Sequence, residues 1–199
     1  LQLNEAQKNY YISMIRGENK RLGVLVEKVL QASLSDSKSL KLYPVEINIH
    51  DVIKDVVRNV AMQLRKQGGK VELSLKAPNP IICADKLHIT NVIFNLLDNA
   101  IKYSPDGAQI KIISDQTEDG VELLVKDNGV GIPKEYIGKV FETLFRVPTG
   151  NVHDVKGFGL GLSYVKTVIE RHGGHIYVES EADKGSTFVL KLKFDSNLK

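Results

Sequence analysis

Cysteine is almost missing. Cys83 is the only one in 199 residues, so neither a disulfide framework nor a cysteine metal cluster can form within one chain, which fits a reducing compartment. Long apolar runs are missing too. None approaches the ~18 residues of a membrane span, and the opening Leu1-Gln2-Leu3-Asn4-Glu5 has none of the regions of a signal peptide. That opening also lacks an initiator Met, and a piece of a longer protein is expected. Charge of one sign is scarce: the net charge of +3 comes with no dense basic run interleaved with aromatics, so direct nucleic-acid binding is not expected. What is present is a composition 42% hydrophobic, enough to bury one good core and append one smaller element, but not two full domains.

The appended element comes first. Ile12, Ile15, Asn19, Leu22, Val26 and Val29 follow 3-4-3-4-3 spacing, a short coiled-coil seam with one polar position, and Ile15 and Leu22 are expected to face another helix or chain. The polar run Ser33 to Lys41 reads as a connector. The expected organisation is a helix within 1–36 and a main domain over 40–195.

Within that domain Val45 to Ile49 reads as a strand, and Asn48 with Asp51 caps a helix carrying Val52, Ile53, Val56, Val57, Val60 and Leu64 up to Gly68-Gly69. Val71–Leu75 alternates like a half-buried strand, Ile81–Ala84 forms another, and Asp85 caps the next helix. Ser104-Pro105-Asp106-Gly107 stops that helix. Ile110–Ile112 and Val121–Val125 form a hairpin across Thr117–Gly120, and Ile176–Glu179 with Phe188–Leu192 form a second one around Asp183–Thr187.

The central helix, Asn91 to Tyr103, is strongly apolar yet carries asparagine at every fourth position. Asn is a poor helix former, and burying an unpaired amide costs about 1–3 kcal/mol. Asn95, Asn99 and Lys102 fall at i, i+4 and i+7 on one face, while Leu96, Leu97 and Ile101 turn elsewhere. A stripe of amide, amide and ammonium suits a metal-bound polyphosphate; viewed alone, the helix reads more readily as amphipathic with a solvated face.

Two glycine motifs weigh against that plain reading. Asp127-Asn128-Gly129-Val130-Gly131-Ile132 puts an acid at a strand end, before glycines that let backbone approach a ligand closely; a simple turn explains it as well. After Lys139 to Arg146, the stretch Val147 to Lys156 lacks either periodicity and reads as a mobile loop. It runs into Gly157-Phe158-Gly159-Leu160-Gly161-Leu162, where Gly161 opens a helix carrying Val165 and Ile169 and stopped by Gly173-Gly174. A glycine-rich helix entry presents free N–H groups and the positive dipole end, an anion site suited to phosphate.

In this order, Asn91–Tyr103, Asp127–Ile132, Phe141–Arg146, Gly157–Gly161 and Gly185–Thr187 resemble the N, G1, F, G2 and final glycine boxes of sensor histidine kinase ATP-binding domains, members of the Bergerat-fold ATPases. Each box is weak alone and the ordered set is specific, spanning about residues 40 to 194. The lid 146–157 is similar to lids of Bacteroidetes-type kinases, and Arg21-Leu22 with Leu25-Val26 resemble the second helix of the dimerisation and phosphotransfer hairpin. The resemblance implies an α/β sandwich: a mixed sheet of about five strands, three helices on one face, and a separate N-terminal helix. It implies ATP and Mg2+ as ligands. Asp127 would accept the adenine amino group, and Asn99, with Asn95, would hold the metal. Asn95, Lys102 and Tyr103 would meet phosphates or ribose, Asn95 and Lys102 acting catalytically. Gly157, Gly159 and Gly161 would hinge the lid and cradle phosphates beside Phe158, Leu160 and Leu162. Gly129, Gly131, Ile132, Phe141, Arg146 and Thr187 complete the implied set.

Implied partners are a phosphoacceptor helix of the same protein, the receiver domain of a response regulator, and a second copy in a full-length homodimer; the resemblance also implies a cytoplasmic domain and is compatible with a parent held in the inner membrane. Two departures stand out. Phe141 is followed three residues later by Leu144 rather than by an aromatic, with Phe145 next. The phosphoacceptor pattern of a histidine, an acid and, five positions on, a proline is missing: His50-Asp51 leads to Asp55, and His88, His153, His172 and His175 also lack it. The acceptor is therefore expected upstream of Leu1. Relatives that hydrolyse ATP use a glutamate base where Asn95 stands, and an amide cannot take a proton from water at neutral pH. That favours a kinase over a hydrolase or a non-catalytic nucleotide-binding module.

Overall fold

A computed structural model describes residues 4, 5, 7, 8, 10–15, 17, 18, 40–104, 106–148 and 159–194. By its internal contacts the chain divides into two compact units, Leu1–Leu40 and Lys41–Lys199. In the first, the described residues between 5 and 18 are helical. Its seam residues Ile12 and Ile15 are exposed; Asn19, Leu22, Val26 and Val29 lie outside the described residues.

The second unit opens with β1 (Val45–Asn48), which runs into α1 (Ile49–Lys66). Asn48 caps this helix as its spacing implies, its side chain accepting from the N–H groups of His50 at 2.9 Å and Asp51 at 3.4 Å. Ile49, Val52, Ile53, Val56, Val60 and Leu64 bury one stripe. Gly68 (φ 71) ends the helix, with Gly68 N–H bonded to Arg65 O and Gly69 N–H to Leu64 O, the two bonds of a Schellman stop. β2 (Lys70–Leu75) and β3 (Ile81–Ala84) follow, then α2 (Lys86–Lys102), β4 (Gln109–Gln116), β5 (Gly120–Lys126), α3 (Gly161–Arg171), β6 (His175–Glu181) and β7 (Gly185–Lys193).

The sheet order is β2-β4-β5-β7-β6, with β2 parallel to β4 and every other pairing antiparallel; β1 and β3 form a separate antiparallel pair. The mixed five-stranded sheet is the expected one, and the two extra short strands lie outside it. Alternation sends Ile110, Ile112, Val121, Leu123, Val125, Phe188, Leu190, Ile176 and Val178 into the core. α1, α2 and α3 pack in that order, side by side. The next residues along the strands carry charge, with Lys111 paired to Glu72 at 2.8 Å and Lys191 to Glu122 at 3.8 Å.

α3 runs back along α2. Asp85, the α2 N-cap, donates its backbone N–H to Nε2 of buried His172 at 2.9 Å, so the imidazole proton sits on Nδ1 and is donated to Val168 O at 2.7 Å. His88 Nδ1 and Tyr164 OH are 2.8 Å apart one turn further along. These contacts fix the end of α3 that is remote from Gly161, and so set where its N-terminus points.

Candidate nucleotide site

Asp127 directly follows β5 and is 7% exposed. Its Oδ1 accepts two backbone N–H groups, Gly129 at 2.8 Å and Ser186 at 3.2 Å, and its own N–H donates to Ser186 O at 2.9 Å. Both side-chain bonds converge on one oxygen, so the carboxylate is held in orientation while Oδ2 is left to accept from elsewhere. Burial pushes its pKa up, and the Gly129 and Ser186 N–H groups act against that shift.

The loop after Asp127 is locked to the β6–β7 turn. Ile132 N–H donates to Ser180 Oγ at 2.8 Å, Ser180 Oγ donates to Gly185 O, and Asp183 N–H donates to Val130 O at 2.8 Å. Glycine is required twice here. Gly131 has φ 67, and a Cβ on it would overlap the Glu181 carbonyl oxygen; a Cβ on Gly185 (φ 91) would overlap the Asp127 carbonyl oxygen. Asn128 serves the fold instead: its Oδ1 accepts the Gln109 N–H at 2.7 Å where β4 begins. The same loop reaches α2, because Val130 N–H donates to Tyr103 O at 3.0 Å.

α2 turns Val92, Ile93, Leu96, Leu97, Ala100 and Ile101 inward and leaves Asn95 and Asn99 half-buried on the other side. Asn95 Nδ2 donates to Asn91 O at 2.8 Å, which commits the amide nitrogen and leaves Oδ1 facing outward from the helix. Oδ1 faces the start of α3: a Cβ on Gly161 would lie 2.9 Å from it. Leu160, the α3 N-cap, provides no side-chain cap, so the amides of the first turn are available to an anion. Lys102 pairs with Asp98 one turn back, and Tyr103, the C-cap of α2, is 37% exposed.

At the base of the expected lid, Leu144 N–H donates to Gly159 O at 3.0 Å. Leu144 sits at φ 66 and Gly159 at φ 73. Phe141 packs edge-on against Phe188 at 6.5 Å between ring centroids, and Phe145 lies 5.8 Å from Tyr136. The step from Phe141 to Phe145 thus puts the two aromatics against different partners, with Leu144 between them and exposed. Gly157 and Phe158 lie outside the described residues; Leu160 is buried, Leu162 half-buried and Arg146 exposed.

The structure therefore joins Asp127, Gly129, Gly131 and Ile132 to the end of α2, and Asn95 to the start of α3. Ser186, which the implied set does not contain, meets Asp127, while Thr187 pairs in register with Lys126 and Glu179. Strand parity carries the signal for this: if Phe188 and Leu190 point inward, so does Ser186. Ser180 joins the cluster without a local signal, because its bond to Ile132 crosses between loops distant in sequence.

Residues 84–196 match the family described as histidine kinase-, DNA gyrase B-, and HSP90-like ATPase. Sensor protein RprX of Bacteroides fragilis is 45% identical over 186 residues, which are 92% of this chain and 36% of that protein, so the chain spans about a third of this relative's length. Among solved structures, the catalytic domain of histidine kinase ThkA is 26% identical with a TM-score of 0.65, over 78% of this chain and 99% of that one. ThkA in complex with the response regulator TrrA is 27% identical with a TM-score of 0.74, over 100% of this chain and 55% of that one. The chain belongs to the histidine kinase-, DNA gyrase B- and HSP90-like ATPase family, and its second unit is an ATP-binding catalytic domain of the sensor histidine kinase type.

Proposed function

We propose that this domain binds Mg-ATP and transfers the γ-phosphate to a histidine on a helix outside residues 1–199, for relay to an aspartate of a response regulator. The observation that carries the reading is the pairing of Asn95 Oδ1 with the uncapped N-terminus of α3, on the same helix whose other end abuts the Asp127 loop. One ligand with an amine-bearing ring at one end and an anionic chain at the other satisfies all three. Asp127 accepts from the adenine amino group and repels the carbonyl that guanine places there.

Asn99 is half-buried and its amide has no hydrogen-bond partner among the described residues, which fits a role as metal ligand with Asn95. A bound Mg2+ would neutralise charge building on the transferring phosphoryl group. Lys102 exchanges Asp98 for a phosphate oxygen, Tyr103 lines the ribose side, and the first amides of α3 hold the phosphates with Gly157, Gly159 and Gly161. Residues 1–36 are the second helix of a dimerisation hairpin, which makes the parent a homodimer. The ThkA complex supports a receiver-domain partner. The domain is cytoplasmic and its parent is anchored in the inner membrane; no described helix is long and apolar enough to cross a membrane.

The test is incubation with magnesium and γ-labelled ATP, alone and with an added polypeptide carrying the upstream helix. Label on that polypeptide alone is the expected result. Free phosphate without protein label, abolished by Asn99→Ala, would establish a hydrolase with a base other than the Asn95 amide.

A further inference from the structure

Strand residues that do not point into the core line the other face of the five-stranded sheet, and the pairing register sets them in rows. The central row runs Ile113, Leu124, Val189, Tyr177 across β4, β5, β7 and β6, and is apolar throughout. Ile113, Leu124 and Tyr177 are half-buried there and Val189 is buried. The rows on either side are charged, and on β4 and β5 the charges have the wrong neighbours. Lys111 stands directly opposite Lys126 on one flank, and Asp115 directly opposite Glu122 on the other. Like charges facing each other across a ladder are destabilising. Lys111 and Glu122 have Glu72 and Lys191 as ion-pair partners, at 2.8 Å and 3.8 Å. Lys126 and Asp115 make no ion pair among the described residues.

A twofold axis lying along the apolar row supplies the missing partners. It turns the row onto itself and lays each strand across its own copy in the opposite direction. Lys126 of one copy then meets Glu122 of the other, and Lys111 meets Asp115, each contact occurring twice. The outer strands follow the same rule, with Glu179 brought to His175 and Lys191 to Thr187. Packed sheets cross at about 30°, which long Lys and Glu side chains span close to the axis.

We propose that this sheet face is a contact between two copies of the chain, an apolar row on the axis flanked by reciprocal charge pairs. An unrelated partner would need the opposite charge pattern by coincidence, whereas a second copy carries it by symmetry. Five strands at about 4.8 Å spacing make a face only about 20 Å wide, at the small end of specific interfaces. Association of the free chain is therefore weak, and it strengthens where two copies are tethered. The contact is independent of the N-terminal seam and of the nucleotide assignments.

Sedimentation of residues 1–199 at low salt and rising concentration tests it, comparing wild type, Lys126→Glu, Glu122→Lys and an equal mixture of the two variants. Each reversal sets like charges together at both symmetric contacts and weakens self-association about tenfold or more. The mixture, an acidic flank of one variant against a basic flank of the other, restores it. Both variants keep the positive sign of the wild-type net charge of +3, so bulk attraction does not explain the restoration, and a misfolded variant could not be restored by mixing. The seam is unchanged in all four samples, so differences among them report the sheet face. In dilute solution Lys126→Glu melts at or above the wild-type temperature, because the reversal gives Lys111 an opposite neighbour. Equal association in all four samples, a mixture no tighter than either variant alone, or a lowered melting temperature would each overturn the proposal.

Discussion

The proposed purine end and the proposed phosphate end of this site are built from different materials. Around Asp127 nearly every polar group is buried and bonded: two N–H donors on one carboxylate oxygen, Ser180 bridging three backbone or hydroxyl partners, and glycines at 131 and 185 where any side chain would collide with a carbonyl. Around Asn95, Asn99 and Lys102 the side chains are half-buried or exposed, one of them in an ion pair easily exchanged. A base can be read by a fixed mould. A phosphate that must leave for a second protein segment needs groups that let go, and preorganisation is placed accordingly.

The contrast can be broken most forcefully at Gly131. Gly131→Ala adds a Cβ that overlaps the Glu181 carbonyl and forces alanine to φ 67, so we expect a loss of about 2–4 kcal/mol. At this size that is a fall in melting temperature of about 5–15 °C, and a melt unchanged from wild type would show that the mould is not rigid.

At the lid base the sign reverses. Leu144 is a non-glycine residue at φ 66 and exposed, a conformation that costs roughly 1–2 kcal/mol. Leu144→Gly relieves it at an entropic cost of about 0.5–1 kcal/mol, so the variant is expected to be more stable by up to about 1.5 kcal/mol. Chemical denaturation checks this, and clear destabilisation would mean that the leucine side chain contributes packing.

Asp127 gives a smaller effect with a defined pH dependence. Burial raises its folded pKa, so folding favours the protonated form; that contribution is fully present below the unfolded value and is lost as pH rises through the raised one. Nucleotide-free Asp127→Asn is expected to gain stability relative to wild type as pH climbs through that window, in paired melts across acidic to neutral pH. His172 should give the smallest effect, with the opposite slope. Burial lowers its pKa, so its contribution is present above the ordinary imidazole value and lost as pH falls through the lowered one. In melts between neutral and mildly acidic pH, His172→Gln should flatten that fall relative to wild type.

Much of the fold was legible because periodicity and caps agree. The Asn48 and Asp85 caps, the Gly68 and Gly173 stops and all seven strands follow from local pattern. The separate β1–β3 pair was not legible as such, since a strand's sequence does not name its partner. In the site, Asp127 and the Asn95–Asn99–Lys102 stripe stand out because each residue type is unusual for its element. Ser186 and Ser180 do not: serine is ordinary in turns, and their significance depends on meeting Asp127, 59 positions from Ser186, and Ile132, 48 positions from Ser180. Asn128 behaves as the turn reading of that motif has it, its Oδ1 accepting the Gln109 N–H where β4 begins.

The central claim is that Asp127 reads adenine, and titration of ATP and GTP into wild type and Asp127→Asn tests it most directly. The asparagine keeps an Oδ1 acceptor for Gly129 and Ser186 but turns an N–H donor toward the adenine amine. ATP affinity should fall about ten- to a hundredfold, with GTP much less affected, as expected for losing a charge-assisted hydrogen bond of about 1.5–3 kcal/mol. Unchanged ATP affinity in a folded Asp127→Asn protein would contradict the account.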